Sequence, residues 1–189
     1  GENVTGWAGV DYKKLRPELK TSLNGESKST IDGFSTFMNI KVRTIPLNVS
    51  VMAVYGQNAS DLLMLGGYAI SDISGDYEQL KTYTTLNSTS FWADFTTNGK
   101  IISFGLFSGF SKNLGASDEI VGALYGRVTN IDYLLRLSPR VKITSGRFNF
   151  GAEIESTTAA YGNTESNGKV TNADGVTNIR MLFCTVFNF

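Results

Sequence analysis

Two glutamates set two residues apart, Glu153 and Glu155, form the pair in this chain best suited to acid–base work or to holding a cation. Paired carboxylates do such chemistry when their surroundings push their pKa values apart. The competing reading is a solvated wall. On a β-strand, residues two apart share a face, so Glu153 and Glu155 stand with Arg147, balanced by Lys41, Arg43 and Arg180 on other strands. Asp132 and Arg136, four apart on one parity, fit the same wall, as does Asp94 beside Ser90, Trp92 and Thr96. The wall reading prevails if these strands prove to close into a membrane β-barrel, whose interior is polar by default. In a wide barrel these mixed charges impose a transverse field and mild selectivity among small polar solutes. In a narrow one they are a buried ion-pair network without a pore.

Composition narrows the chemistry further. The chain of 189 residues has no histidine, which removes the commonest general base at neutral pH and any Ser-His or Cys-His nucleophile pair. A hydrolase reading is therefore weak, and no enzymatic activity is expected. A single cysteine, Cys184, excludes an internal disulfide framework and reads as a small packing residue. The acidic groups Asp118-Glu119 and Asp72, Asp76, Glu78 offer oxygen ligands but lack the spacing of a calcium loop, so no metal or cofactor is expected. Lys plus Arg equals Asp plus Glu at 17 each, with no basic stripe, which argues against a nucleic-acid partner.

The elements that must position these residues are strands. Glycine (20) and abundant Ser, Thr and Asn against 3 prolines describe an all-β chain with many turns. The last stretch is the clearest: from Ile179, alternate residues Met181, Phe183, Thr185, Phe187 and Phe189 form an apolar, aromatic row. Seven further strands are predicted at Val4 to Leu15, Thr30 to Thr44, Leu47 to Gln57, Thr89 to Thr97, Lys100 to Lys112, Ile120 to Ser138 and Val141 to Tyr161. Each puts apolar residues on one parity and polar ones on the other, except that the first half of the Ile120 to Ser138 strand fits less well, with Gly122 and Gly126 reading as a bulge or bend. Pro46, Asn98-Gly99 and Ser138-Pro139-Arg140 mark tight turns. Asn58 to Ser88 reads as the longest loop, in which Leu62 to Leu65 forms a short helix or folds inward.

The connections between these eight strands alternate between long and short. Outer-membrane barrels have short turns on one side and longer loops on the other, whereas a soluble sandwich gives no reason for alternation. A final Phe with an aromatic two residues before it also resembles the C-terminal signature of such barrels, which barrel-assembly machinery would engage through Phe189. Tyr133, Phe91 and Phe189 suit interfacial aromatic girdles. No run reaches the roughly 18 apolar residues of a spanning helix. The chain carries no signal peptide and does not begin with Met, so it reads as a mature protein or a piece of one.

Several runs resemble a known family. They are V-Y-G-Q-N-A-S-D-L-L-M-L-G-G-Y-A-I (Val54 to Ile70), F-W-A-D-F-T-T-N-G-K (Phe91 to Lys100), G-L-F-S-G-F-S-K-N-L-G-A-S (Gly105 to Ser117), I-D-Y-L-L-R-L-S-P-R (Ile131 to Arg140) and A-E-I-E-S-T-T-A-A-Y-G (Ala152 to Gly162). Together they resemble the C-terminal half of DcaP-like porins, outer-membrane channels of Gram-negative bacteria. The resemblance implies a larger barrel of about 16 strands that assembles as a trimer. Residues 1–189 are thus expected to form a transmembrane antiparallel up-and-down β-barrel of eight strands, or the C-terminal half of a larger one. The expected function is passive diffusion of small hydrophilic solutes through a polar lumen, shaped by the 58–88 loop, with outer-membrane lipid as the surroundings. The alternative is a closed eight-strand barrel acting as an anchor or adhesion platform through its external loops.

Overall fold

The computed structural model describes residues 3–74 and 80–189. Ten strands make one antiparallel sheet: β1 (Asn3–Leu15), β2 (Ile31–Arg43), β3 (Leu47–Gln57), β4 (Gly66–Ile73), β5 (Lys81–Thr97), β6 (Ile102–Gly115), β7 (Leu124–Arg127), β8 (Ile131–Ser145), β9 (Phe148–Thr164) and β10 (Val170–Phe187). Eight of them run as an up-and-down path in the order β1-β2-β3-β5-β6-β8-β9-β10, while β4 and β7 pair away from it. The ends of the path, β1 and β10, are not paired with each other among the described residues, so the sheet is open.

Alternation builds two unlike faces. Paired residues of neighbouring strands stand on the same side, so the register can be followed from edge to edge. One row runs Gly6, Ile40, Val51, Ala93, Ser108, Leu137, Ser156, Ile179. The row beside it runs Val4, Val42, Val49, Phe95, Leu106, Pro139 and, farther on, Ile154 and Met181. This face is apolar and open: Val10, Phe104, Phe183 and Met181 are exposed, Phe183 by 81%. A soluble monomer rarely exposes contiguous apolar area beyond a few hundred Å². Tyr55 and Tyr133 lie towards the long-connection side of the band. Phe148, Phe187 and Phe189 cluster at the other side, with ring centroids 4.9 and 5.3 Å apart. Phe91 lies within the band, opposite Ala53 and Phe110.

The enclosed core sits elsewhere, at the end carrying the long connections. Here β4 pairs with both β5 and β7, and Leu65, Ala69, Ile70, Leu86, Ala116, Ile131 and Val170 are buried. Tyr68 stacks on Tyr125 at 5.1 Å and meets Tyr83 edge-on at 5.8 Å. The close approach of β4 to β7 requires a glycine: at Gly67 (φ 147°) a Cβ would lie 2.1 Å from the Tyr125 carbonyl oxygen. A short 3-10 helix, Ala59–Leu62, leads into this layer.

Several sequence expectations are corrected here. The 58–88 segment is not one loop: it holds the 3-10 helix and β4, and β5 begins at Lys81 rather than Thr89. The strand expected from Ile120 to Ser138 is split into β7 and β8. Ser138-Pro139-Arg140 is no turn: Pro139 lies inside β8, opposite Leu106. Proline has no N–H to donate, and the β8–β9 pairing lapses between Leu137↔Ser156 and Arg140↔Glu153 before resuming. The actual turn is Gly146-Arg147, with Gly146 at φ 59°. Asn98-Gly99 does turn the chain, but over residues 98–101, and the Asn98 side chain donates to the carbonyls of Thr44 and Ile45 at 2.7 and 3.1 Å, tying two adjacent turns.

Candidate pore wall

The face opposite the apolar band carries the charged residues. Row by row it reads Trp7, Asn39, Met52, Trp92, Gly109, Arg136, Thr157, Asn178. The next row brings Thr5, Lys41, Ser50, Asp94, Phe107 and Ser138, and then Glu155 opposite Arg180. The third brings Asn3, Arg43, Asn48, Thr96, Gly105, Arg140 and Glu153. This face is the more sheltered, with Asn39, Ser35, Ser103 and Ser138 all buried.

Its strongest contact joins residues 46 apart in sequence. Arg140 grips Asp94 with both terminal nitrogens, Nη1 to Oδ2 and Nη2 to Oδ1 at 2.8 Å each, and donates from Nη2 to Thr96 Oγ1 at 2.9 Å. Such a fork holds a carboxylate in both position and plane. Glu155 takes two arginines, Arg180 Nη2 at 3.0 Å and Arg136 Nη1 at 3.5 Å, and Arg136 Nε donates to Thr157 Oγ1 at 3.2 Å.

Of the nine candidate residues, the register puts seven on the face opposite the apolar band: Lys41, Arg43, Asp94, Arg136, Glu153, Glu155 and Arg180. Lys41 and Arg43 border a depression of about 210 Å³ with Asn48, Ser50, Asp94 and Thr96. Asp132 is drawn away to Lys112, whose Nζ lies 2.7 Å from both carboxylate oxygens, and does not meet Arg136. Arg147 stands in the turn between β8 and β9, where its carbonyl accepts from the Asn188 N–H at 2.9 Å. Arg140 was missed because its neighbour Pro139 read as a turn; the parity of Arg136 and Arg140 is the signal that would have found it.

Cys184 is exposed rather than packed, its Sγ lying 2.6 Å from where a Cβ on Gly151 would stand. At the long-connection end the Lys13 ammonium is bonded to Asp61 and holds its carboxyl below the usual carboxylate range. Burial, with Tyr125 beside it, raises the Tyr68 hydroxyl. Asp72 belongs to β4, while Asp76 and Glu78 lie outside the described residues. No group of three metal-ligating side chains occurs among the described residues. No helix among them is long and apolar enough to cross a membrane, which says nothing of a β-barrel. No family model, curated protein or solved structure matches the chain, so the resemblance to DcaP-like porins rests on the sequence runs quoted above.

Proposed function

We propose that this sheet is part of the wall of a porin-like channel in a bacterial outer membrane, passing small hydrophilic solutes by passive diffusion. The single observation that carries the reading is the division of one eight-strand meander into a continuous exposed apolar face and a charged, hydrogen-bonded opposite face. Lipid outside and water inside is the environment that makes such a division favourable. Over the first six connections of the path, long ones (16–30, 58–80, 116–130) alternate with short ones (44–46, 98–101, 146–147), which supports the same reading; the last connection, 165–169, is short where the alternation calls for a long one.

Width follows from the edges. An unpaired edge strand is a row of open hydrogen-bonding groups, intolerable in hydrocarbon. β1 and β10 therefore need partner strands, and an open eight-strand path speaks for a wider barrel rather than a closed, filled one. The partners are further strands of a larger barrel, with a homotrimer as the assembly that the family resemblance suggests. Phe189 is the contact for barrel-assembly machinery. We assign no catalytic role to the wall charges: Asp94 is held by Arg140, and Glu155 by Arg136 and Arg180.

Single-channel conductance of the native, detergent-extracted protein in a planar bilayer tests this. Discrete steps of porin size support the channel. Silence from protein shown to be folded overturns it in favour of a plugged barrel whose external loops carry the function.

A further inference from the structure

The polar wall contains residues that its alternation does not call for. Trp7, Met52 and Trp92 lie in one row, Phe37 and Phe107 in the rows on either side. Together they make an apolar diagonal across β1, β2, β3, β5 and β6, broken only by Asn39. Ordinary wall packing would explain one such side chain; four rings and a methionine across adjacent strands form a track.

The rings have room because a glycine stands beside them, Gly109 two residues along the same strand for Phe107 and Gly9 on the neighbouring strand for Phe37. A Cβ at Gly109 would stand 3.0 Å from Phe107 Cε1, and one at Gly9 only 2.5 Å from Phe37 Cε1. Trp92 and Phe107 lie side by side, centroids 6.0 Å apart and planes 33° apart, so both present area to the same space. Trp92, Phe107, Gly109, Ser111, Arg136 and Thr157 are among the residues around a depression of about 210 Å³. Its border is hydrogen-bonding: the Ser90 and Ser111 hydroxyls lie 2.7 Å apart, Arg136 Nε donates to Thr157 Oγ1, and the Asp94–Arg140–Thr96 cluster stands beside it, in the row of Phe107 and the row beyond.

Aromatic faces edged by hydroxyls and paired charges match one chemistry: a ring with an apolar face and hydroxyls around its rim. We infer that Trp92 and Phe107 form a stacking site for sugar rings on this wall, with Met52, Phe37 and Trp7 continuing the track. The ring's C–H face rests on the aromatic faces, while Ser90, Ser111 and the Asp94–Arg140 fork exchange water hydrogen bonds for hydroxyls. The inference takes its face from the channel reading but not its binding, so the two can fail separately.

The test uses the full chain in detergent. It has two tryptophans, so Trp7→Phe leaves Trp92 as the sole reporter. Titration with maltotriose is expected to change Trp92 fluorescence saturably, whereas sorbitol, with hydroxyls but no ring face, leaves it unchanged. Phe107→Ala should weaken the maltotriose response by about five- to tenfold. If Trp7→Phe does not fold, the comparison of the unaltered chain with Phe107→Ala replaces it. A flat titration, an equal response to sorbitol, or no effect of Phe107→Ala overturns the site. Channels that conduct but are neither blocked nor quenched by maltotriose remove the sugar site and keep the channel. Saturable quenching in a protein that conducts nothing does the reverse.

Discussion

Apolar residues are used in opposite ways at two places in this chain. At the long-connection end, Leu86, Ile70 and Leu65 are enclosed by protein, and β4 and β7 exist to cover them. In the band below, Leu137, Ile179 and Phe183 are just as apolar and stand open. The contrast shows that hydrophobicity alone does not define a core. What surrounds the residue decides, and in the band the chain leaves that surrounding to be supplied from outside.

The contrast can be broken most sharply at its enclosed side. Leu86→Ala, at a site 3% exposed, should cost about 2–5 kcal/mol and loosen the β4–β5–β7 layer, read as protease cleavage within residues 116–130 ahead of the remaining sheet. On the open side, Leu137→Arg should cost about 2–4 kcal/mol in lipid vesicles if the band faces hydrocarbon. In a band facing water, the same exposed substitution would fall within about 0.5 kcal/mol. Urea unfolding from vesicles distinguishes the two, and a near-neutral result would remove the lipid reading.

Smaller effects refine the polar wall. A double-mutant cycle between Asp94→Ala and Arg140→Ala should give a coupling of about 1 kcal/mol, discounted because both side chains are roughly a third exposed. A coupling near zero would mean that the fork is ornamental to stability. The smallest effect concerns Lys13–Asp61. The Asp61 pKa is depressed in the fold, so the clip's contribution is fully present above the ordinary carboxylate value of about 3.9 and is lost as pH falls through the lower folded value. Acid titration should release the 59–62 turn in the native chain at a pH where Asp61→Asn is already released.

Much of the fold was legible because strand parity is local. β3 has the expected bounds, Leu47–Gln57, and Glu153 and Glu155 share the polar face as their spacing required. Parity even survived a misplaced turn. Pro139 drew the expected boundary because proline breaks ladders, yet β8 runs through it to Ser145. The cost of that one override was Arg140, taken for a turn residue, and Arg147, taken for a wall residue. The 58–88 stretch misled for a different reason: β4 is glycine-rich at its start and stabilised by β5 and β7 on either side, so little in its own residues marks it as a strand.

The sequence by itself determined which residues share a face, because alternation depends only on neighbours two apart. It also determined the all-β class and the want of histidine-based chemistry. Only the tertiary structure decided who meets whom: Asp94 with Arg140 and Glu155 with two arginines across that face, and Asp132 with Lys112 away from it. Register between strands is set by long-range pairing and by where turns fall, and neither is written in any single strand. The open edges at β1 and β10 belong to the same level, since pairing is a relation between strands rather than a property of either.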